Sequence, residues 1–96
     1  MNRQEHLLTI LAEECAEVAQ RASKALRFGL GEVQPGQELT NAERIEGELT
    51  DLFSVVLMLV DEGHLVLKDR QGDEAAKRAK VEKFLRLSEQ LGTLTK

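Results

Sequence analysis

The chain has 96 residues, a length that fits one domain, 1–96, and not two. Its 42% hydrophobic content excludes a disordered chain. Three Phe with no Trp or Tyr, and a net charge of −4, exclude aromatic platforms for single strands and general binding to nucleic-acid polymers.

The charge is uneven. Residues 1–62 carry twelve acids and five bases, giving −7, whereas residues 63–96 carry five acids and eight bases, giving +3. The opening Met1-Asn2-Arg3-Gln4-Glu5-His6 is followed by no long apolar run, as a signal peptide would require. A cytoplasmic protein is therefore expected.

At about 100° per residue, Leu7, Leu8, Leu11, Cys15, Val18, Ala19, Ala22 and Leu26 fall on one arc. This spacing predicts an amphipathic helix from Arg3 to Phe28, ended by Gly29 and Gly31. Cys15 is the only cysteine, so no intramolecular disulfide forms. Its place on the arc predicts a packed core thiol rather than a nucleophile. Leu30 to Leu39, with Pro35-Gly36, reads as a loop.

Thr40-Asn41-Ala42-Glu43 has the spacing of a capping box and predicts a second helix from Asn41 to Glu62. Its stripe is Ile45, Leu49, Leu52, Val56, Leu59 and Val60, widened by Phe53, Val55 and Leu57, so burial on more than one side is expected. The apolar stretch Leu52–Val60 is too short to span a bilayer, and no membrane partner is expected. A strand over 52–60 is disfavoured because the stripe runs back to Ile45 at helical spacing.

Gly63 is the expected stop. After a connection from His64 to Gln71, a third helix is predicted over Asp73–Leu91, with the stripe Val81, Phe84 or Leu85, Ser88 and Leu91, ended by Gly92. The fold class is thus all-α. Three helices are one short of a four-helix bundle, so a homodimer or homotetramer is expected to complete it.

The first helix carries Glu13-Glu14-x-x-Glu17 and the second Glu48-x-x-Asp51. Glu14 borders the apolar arc, with Glu17 on the same side of the helix. Glu48 projects in nearly the same direction as Val55 and Leu59, and Asp51 lies at the edge of that arc. A carboxylate placed there needs a cation, a basic partner or a proton. Four convergent carboxylates repel one another unless a multivalent cation joins them. Such oxygen-only donors suit Mg²⁺ or Mn²⁺. The plainer alternative is a solvated acidic face, in which Arg21 neutralises Glu17 and Arg44 neutralises Glu48. Glu43, Glu46 and Glu62 are read that way. A di-iron centre would use Glu-x-x-His, and His6 and His64 lie outside both motifs.

Glu13-Glu14-x-x-Glu17 followed by Glu48-x-x-Asp51 resembles the signature of the all-alpha NTP pyrophosphatase superfamily, the MazG-like proteins, over residues 7–62. The thirty-residue spacer, Val18 to Gly47, is at the long end for that family. The resemblance implies Mg²⁺-dependent cleavage of an NTP or dNTP to the monophosphate plus pyrophosphate. Matched by position, Glu14, Glu17, Glu48 and Asp51 are metal ligands, and Glu13 is a supporting or water-orienting acid. Lys80 and Lys83 match a Lys-x-x-Lys-Asn pattern near phosphates in relatives, but Phe84 stands where Asn would be.

Lys24 and Arg27 lie two to three turns past the acids, placed for phosphate or base or simply as helix-end cations. Asn41, Phe28 and the Gly29–Leu39 loop are candidates for the base. A function of another class also fits the sequence: a non-enzymatic helical protein-interaction module with a basic third helix.

Overall fold

A computed structural model describes residues 1–68 and 71–95, residue 71 in its backbone only. Among these, all regular structure is helical: α1 (Arg3–Phe28), α2 (Asn41–Asp61) and α3 (Gln71–Gln90). No helix is long and apolar enough to cross a membrane. The expected connection at 64–71 is non-helical to residue 68, Asp69 and Arg70 lie outside the described residues, and α3 begins at Gln71, two residues before the expected Asp73. The chain divides into two compact units, Met1–Val66 and Leu67–Lys96.

The first unit is an antiparallel hairpin of α1 and α2. Each helix opens on a reciprocal cap that satisfies N–H groups left orphaned at a helix start. Asn2 Oδ1 accepts from the Glu5 N–H at 2.8 Å, and Thr40 Oγ1 accepts from the Glu43 N–H at 3.1 Å. Both boxes are complete. Glu43 is exposed, as expected, and also closes the cap.

α1 stops at Gly29, whose φ of 96° suits a residue without Cβ. Pro35 and Gly36 then occupy the centre of a turn closed by Gln37 N–H to Gln34 O at 2.9 Å. Gly36 has φ 82°, as the third position of a type II turn demands. The loop is fixed to the start of α2 by Asn41 N–H to Glu32 O (2.9 Å) and Ala42 N–H to Leu30 O (3.0 Å). At the far end, Gly63 is in the left-handed region and His64 N–H returns to Leu59 O at 2.9 Å, as in a Schellman stop.

The core is Leu7 from α1 with Val55 and Leu59 from α2, and half-buried Leu11 packs on it. Leu59 is wholly buried. Burial of side chains this size stabilises by about 1.5–3 kcal/mol each. Two helices cannot cover stripes this wide. Within the apolar arc of α1, Cys15, Ala19 and Ala22 are exposed, and Leu26 is 88% exposed. This corrects the expectation of a packed Cys15: α2 covers the Leu7–Leu11 flank of the arc and leaves the Cys15 flank open. On α2, Phe53 and Leu57 are likewise exposed.

The second unit holds α3. It ends at Gly92 (φ 80°), with Thr93 N–H to Ser88 O at 2.9 Å. The expected stripe does not form a core. Val81, Phe84, Leu85 and Leu91 are exposed, because a single helix has no second element within its unit to pack against. Ser88 is half-buried, and Arg78 pairs with Glu74 at 3.0 Å.

Candidate functional site

The antiparallel register sets the middle of α1 against the first half of α2. Carboxylate oxygens of Glu14, Glu17 and Glu48 lie within 4.8 Å of one another. Glu14 and Glu48 are half-buried and Glu17 is exposed. One oxygen of each half-buried acid, Glu14 Oε2 and Glu48 Oε2, is fully covered and has no hydrogen-bond partner. Asp51, one turn beyond Glu48, is exposed and supplies no oxygen to the cluster. It is close enough for its charge to act on Glu48. Glu13 is exposed and also outside the cluster.

The electrostatics follow from this crowding. Glu48 titrates above the ordinary carboxylate range, first because partial burial strips water from its charged form. The nearby Glu17 carboxylate, which favours a proton shared with Glu48, and repulsion from Glu17, Glu14 and Asp51 act in the same direction. The acids that sequence spacing pairs with cations are not so paired. Arg44 gives its Nη1 to Gln34 Oε1 at 3.1 Å. Arg21 has a covered Nη1 with no partner. Among the described residues, the ion pairs are Arg3–Glu62 and Arg78–Glu74. Glu62 is therefore not a merely solvated acid.

Beyond the acids, α1 carries its cations to the loop. Lys24 is half-buried and Arg27 exposed. Both accompany the Phe28 ring, with Lys24 Nζ at 5.9 Å and the Arg27 guanidinium carbon at 4.9 Å from its centroid, within cation–π range. Lys24, Phe28, Glu32, Gln34 and Pro35 line a cleft of about 280 Å³. Asn41 is the first residue of α2, just after its cap Thr40. It is 2% exposed, and its Nδ2 donates to Gly29 O (2.8 Å) and Glu32 Oε1 (3.2 Å). Its amide thus holds the wall of the cleft. Lys80 and Lys83 are exposed on α3, in the second unit.

Glu32 and Gln34 enter the site from the loop. Their signal in the sequence is indirect: the Pro35-Gly36 turn beside them and the capping box at Thr40 fix the loop on which they sit. Comparison with protein-family models, curated proteins and solved structures gives no match for this chain.

Proposed function

We propose that the chain is a Mg²⁺-dependent nucleoside triphosphate pyrophosphohydrolase, converting an NTP or dNTP to the monophosphate and pyrophosphate. Its role would be control of a cytoplasmic nucleotide pool, as in a phage or mobile element. The observation that carries the reading is the convergence of Glu14, Glu17 and Glu48, with two covered carboxylate oxygens left unpartnered. Covered oxygens of this kind require a cation or a proton, and an all-carboxylate donor set fits a hard divalent ion. The ordered pair of acidic motifs, similar to the MazG-like signature, supports it independently.

In this reading Glu14, Glu17 and Glu48 hold Mg²⁺, or Mn²⁺ in its place, and Asp51 is the fourth ligand by motif. The ion when bound neutralises phosphate charge and acidifies a water. Glu13, outside the cluster, would be a supporting or water-orienting acid by motif, and the proton of the attacking water would be released to solvent. The water oxygen bonds to phosphorus as a P–O anhydride bond breaks, and pyrophosphate leaves. No protein nucleophile is needed. Lys24 and Arg27 are the hairpin's candidate cations for substrate, and Lys80 and Lys83 are candidates by motif alone. The exposed Leu26, Phe53 and Leu57 support assembly into a homodimer or homotetramer, where a second copy would complete a four-helix bundle.

The rival reading, an interaction module with a basic third helix, has less support. α3 carries five cations against four acids, and Arg78 is engaged by Glu74. The two are separated by incubating the protein with Mg²⁺ and a panel of canonical and modified NTPs and dNTPs. Monophosphate plus pyrophosphate is the expected product pair. Orthophosphate plus diphosphate, or no turnover anywhere, sinks the proposal.

A further inference from the structure

Arg21 is the one cation of the hairpin with a covered nitrogen lacking a partner. The acid one turn before it, Glu17, forms no ion pair with it among the described residues. A covered guanidinium N–H without an acceptor is costly. Arg21 as a whole is only half-buried, so the rest of its planar fork stays reachable, and that fork matches a phosphate better than any neutral group does.

Position on the helix sets Arg21 between the acids and the loop. Glu14, Glu17, Arg21, Lys24 and Phe28 are spaced three, four, three and four residues apart, so they share one face of α1 within about 80° of arc. Along the axis, Arg21 stands about 6 Å beyond Glu17, and Phe28 about 10 Å beyond Arg21. The order on this face is carboxylates, guanidinium, ammonium, aromatic ring. Its far end opens into the cleft lined by Lys24, Phe28, Glu32, Gln34 and Pro35, about 280 Å³ in volume, near the lower bound of small-molecule sites.

The cleft is built rather than incidental. Asn41 fixes the Glu32 carboxylate and the Gly29 carbonyl. Arg44 fixes the Gln34 carbonyl oxygen, which orients the amide and leaves its NH₂ as the group available for recognition.

Resting on the pyrophosphohydrolase reading, we infer a polarity for the substrate. It lies along α1 with its polyphosphate on Arg21, beside the carboxylates, and its nucleoside in the cleft of Lys24, Phe28, Glu32, Gln34 and Pro35. Arg21 is then the residue that holds phosphate in register with Glu14, Glu17 and Glu48. The loop residues Glu32 and Gln34 read the base.

Calorimetric titration in Mg²⁺ tests this, using inorganic tripolyphosphate and the α,β-imido analogues of the four deoxynucleoside triphosphates. Arg21→Gln should weaken tripolyphosphate and the best-bound analogue alike, by about tenfold, and Arg21→Lys should recover part of the loss. Phe28→Leu and Gln34→Ala should weaken the analogue by about tenfold and leave tripolyphosphate unchanged. Two cleft variants are used because Gln34 also holds Arg44.

Arg21→Gln without effect on tripolyphosphate overturns the inference. So do cleft variants that weaken both probes equally, or neither. Wild-type protein that binds neither probe overturns the pyrophosphohydrolase reading itself, so the two failures are told apart.

Discussion

Arg3 grips Glu62 with both arms of its guanidinium, Nε to Oε1 at 2.8 Å and Nη2 to Oε2 at 2.9 Å. The pair ties the first turn of α1 to the end of α2. It holds Glu62 below the ordinary carboxylate range, chiefly through the hydrogen bonds from Arg3, and raises Arg3 in turn. A carboxylate lowered by folding stabilises above its unfolded pKa, and that contribution is lost as pH falls through the folded value. Thermal melts of Glu62→Gln should lie below wild type near pH 7, and the two should converge in acid. The effect should be modest because Arg3 is largely exposed. A gap that widens in acid would contradict the assignment.

Glu48 works in the opposite sense. Its folded pKa is raised, first by burial and then by Glu17, Glu14 and Asp51. Between its unfolded and folded values the native state holds more protons, so stability from this residue falls as pH rises through that window. Glu48→Gln should therefore raise the melting temperature of metal-free protein near neutral pH. The same variant should abolish stabilisation by millimolar Mg²⁺ and reduce turnover by at least about a hundredfold. An apo protein destabilised by Glu48→Gln would count against unrelieved repulsion at the cluster.

Asn41 is buried, and its amide bridges Gly29 and Glu32. Removing it breaks both bonds and empties a buried site, a loss of about 1 kcal/mol. Asn41→Ala should lower the denaturation midpoint accordingly. It should also speed amide exchange at Ala42, whose N–H bonds to Leu30 O. Unchanged exchange there would show that the amide does not hold the loop.

Leu59 and Leu26 test opposite burial. Leu59→Ala, at the wholly buried centre of the core, should cost about 2–5 kcal/mol in denaturant titration. That is a large share of the roughly 5–15 kcal/mol typical of a domain. Leu26→Ser, at an 88% exposed position, should lower the sedimentation coefficient of the proposed assembly towards that of one chain. A wild type that already sediments as one chain at high concentration removes the oligomer from the proposal.

The helices were legible because their boundaries are written locally. Thr40-x-x-Glu43, Gly29, Gly63 and Gly92 each fix a cap or a stop at the expected residue. The meeting of Glu14, Glu17 and Glu48 was legible too, since the two acidic motifs lie on paired helices, although Asp51, expected as a fourth member, stays outside the cluster. Three features were not. The Cys15 and Leu26 side of the arc is apolar yet open, because periodicity gives the width of a stripe and not how much of it a neighbour covers. Arg21 and Arg44 are spaced to neutralise acids on their own helices, but Arg44 turns to the loop and Arg21 pairs with neither. The Arg3–Glu62 pair spans 59 positions, a separation at which no local pattern speaks.

The hairpin is pinned at both ends, by Arg3 on Glu62 and by Asn41 on Gly29. The three crowded acids lie between these two ties, on helices that the Leu7, Val55 and Leu59 core also holds together. Without a cation the fold works against itself in its own middle, giving up stability to keep the acids close. A binding ion would recover that deficit, so its apparent affinity would include relief of strain as well as new bonds.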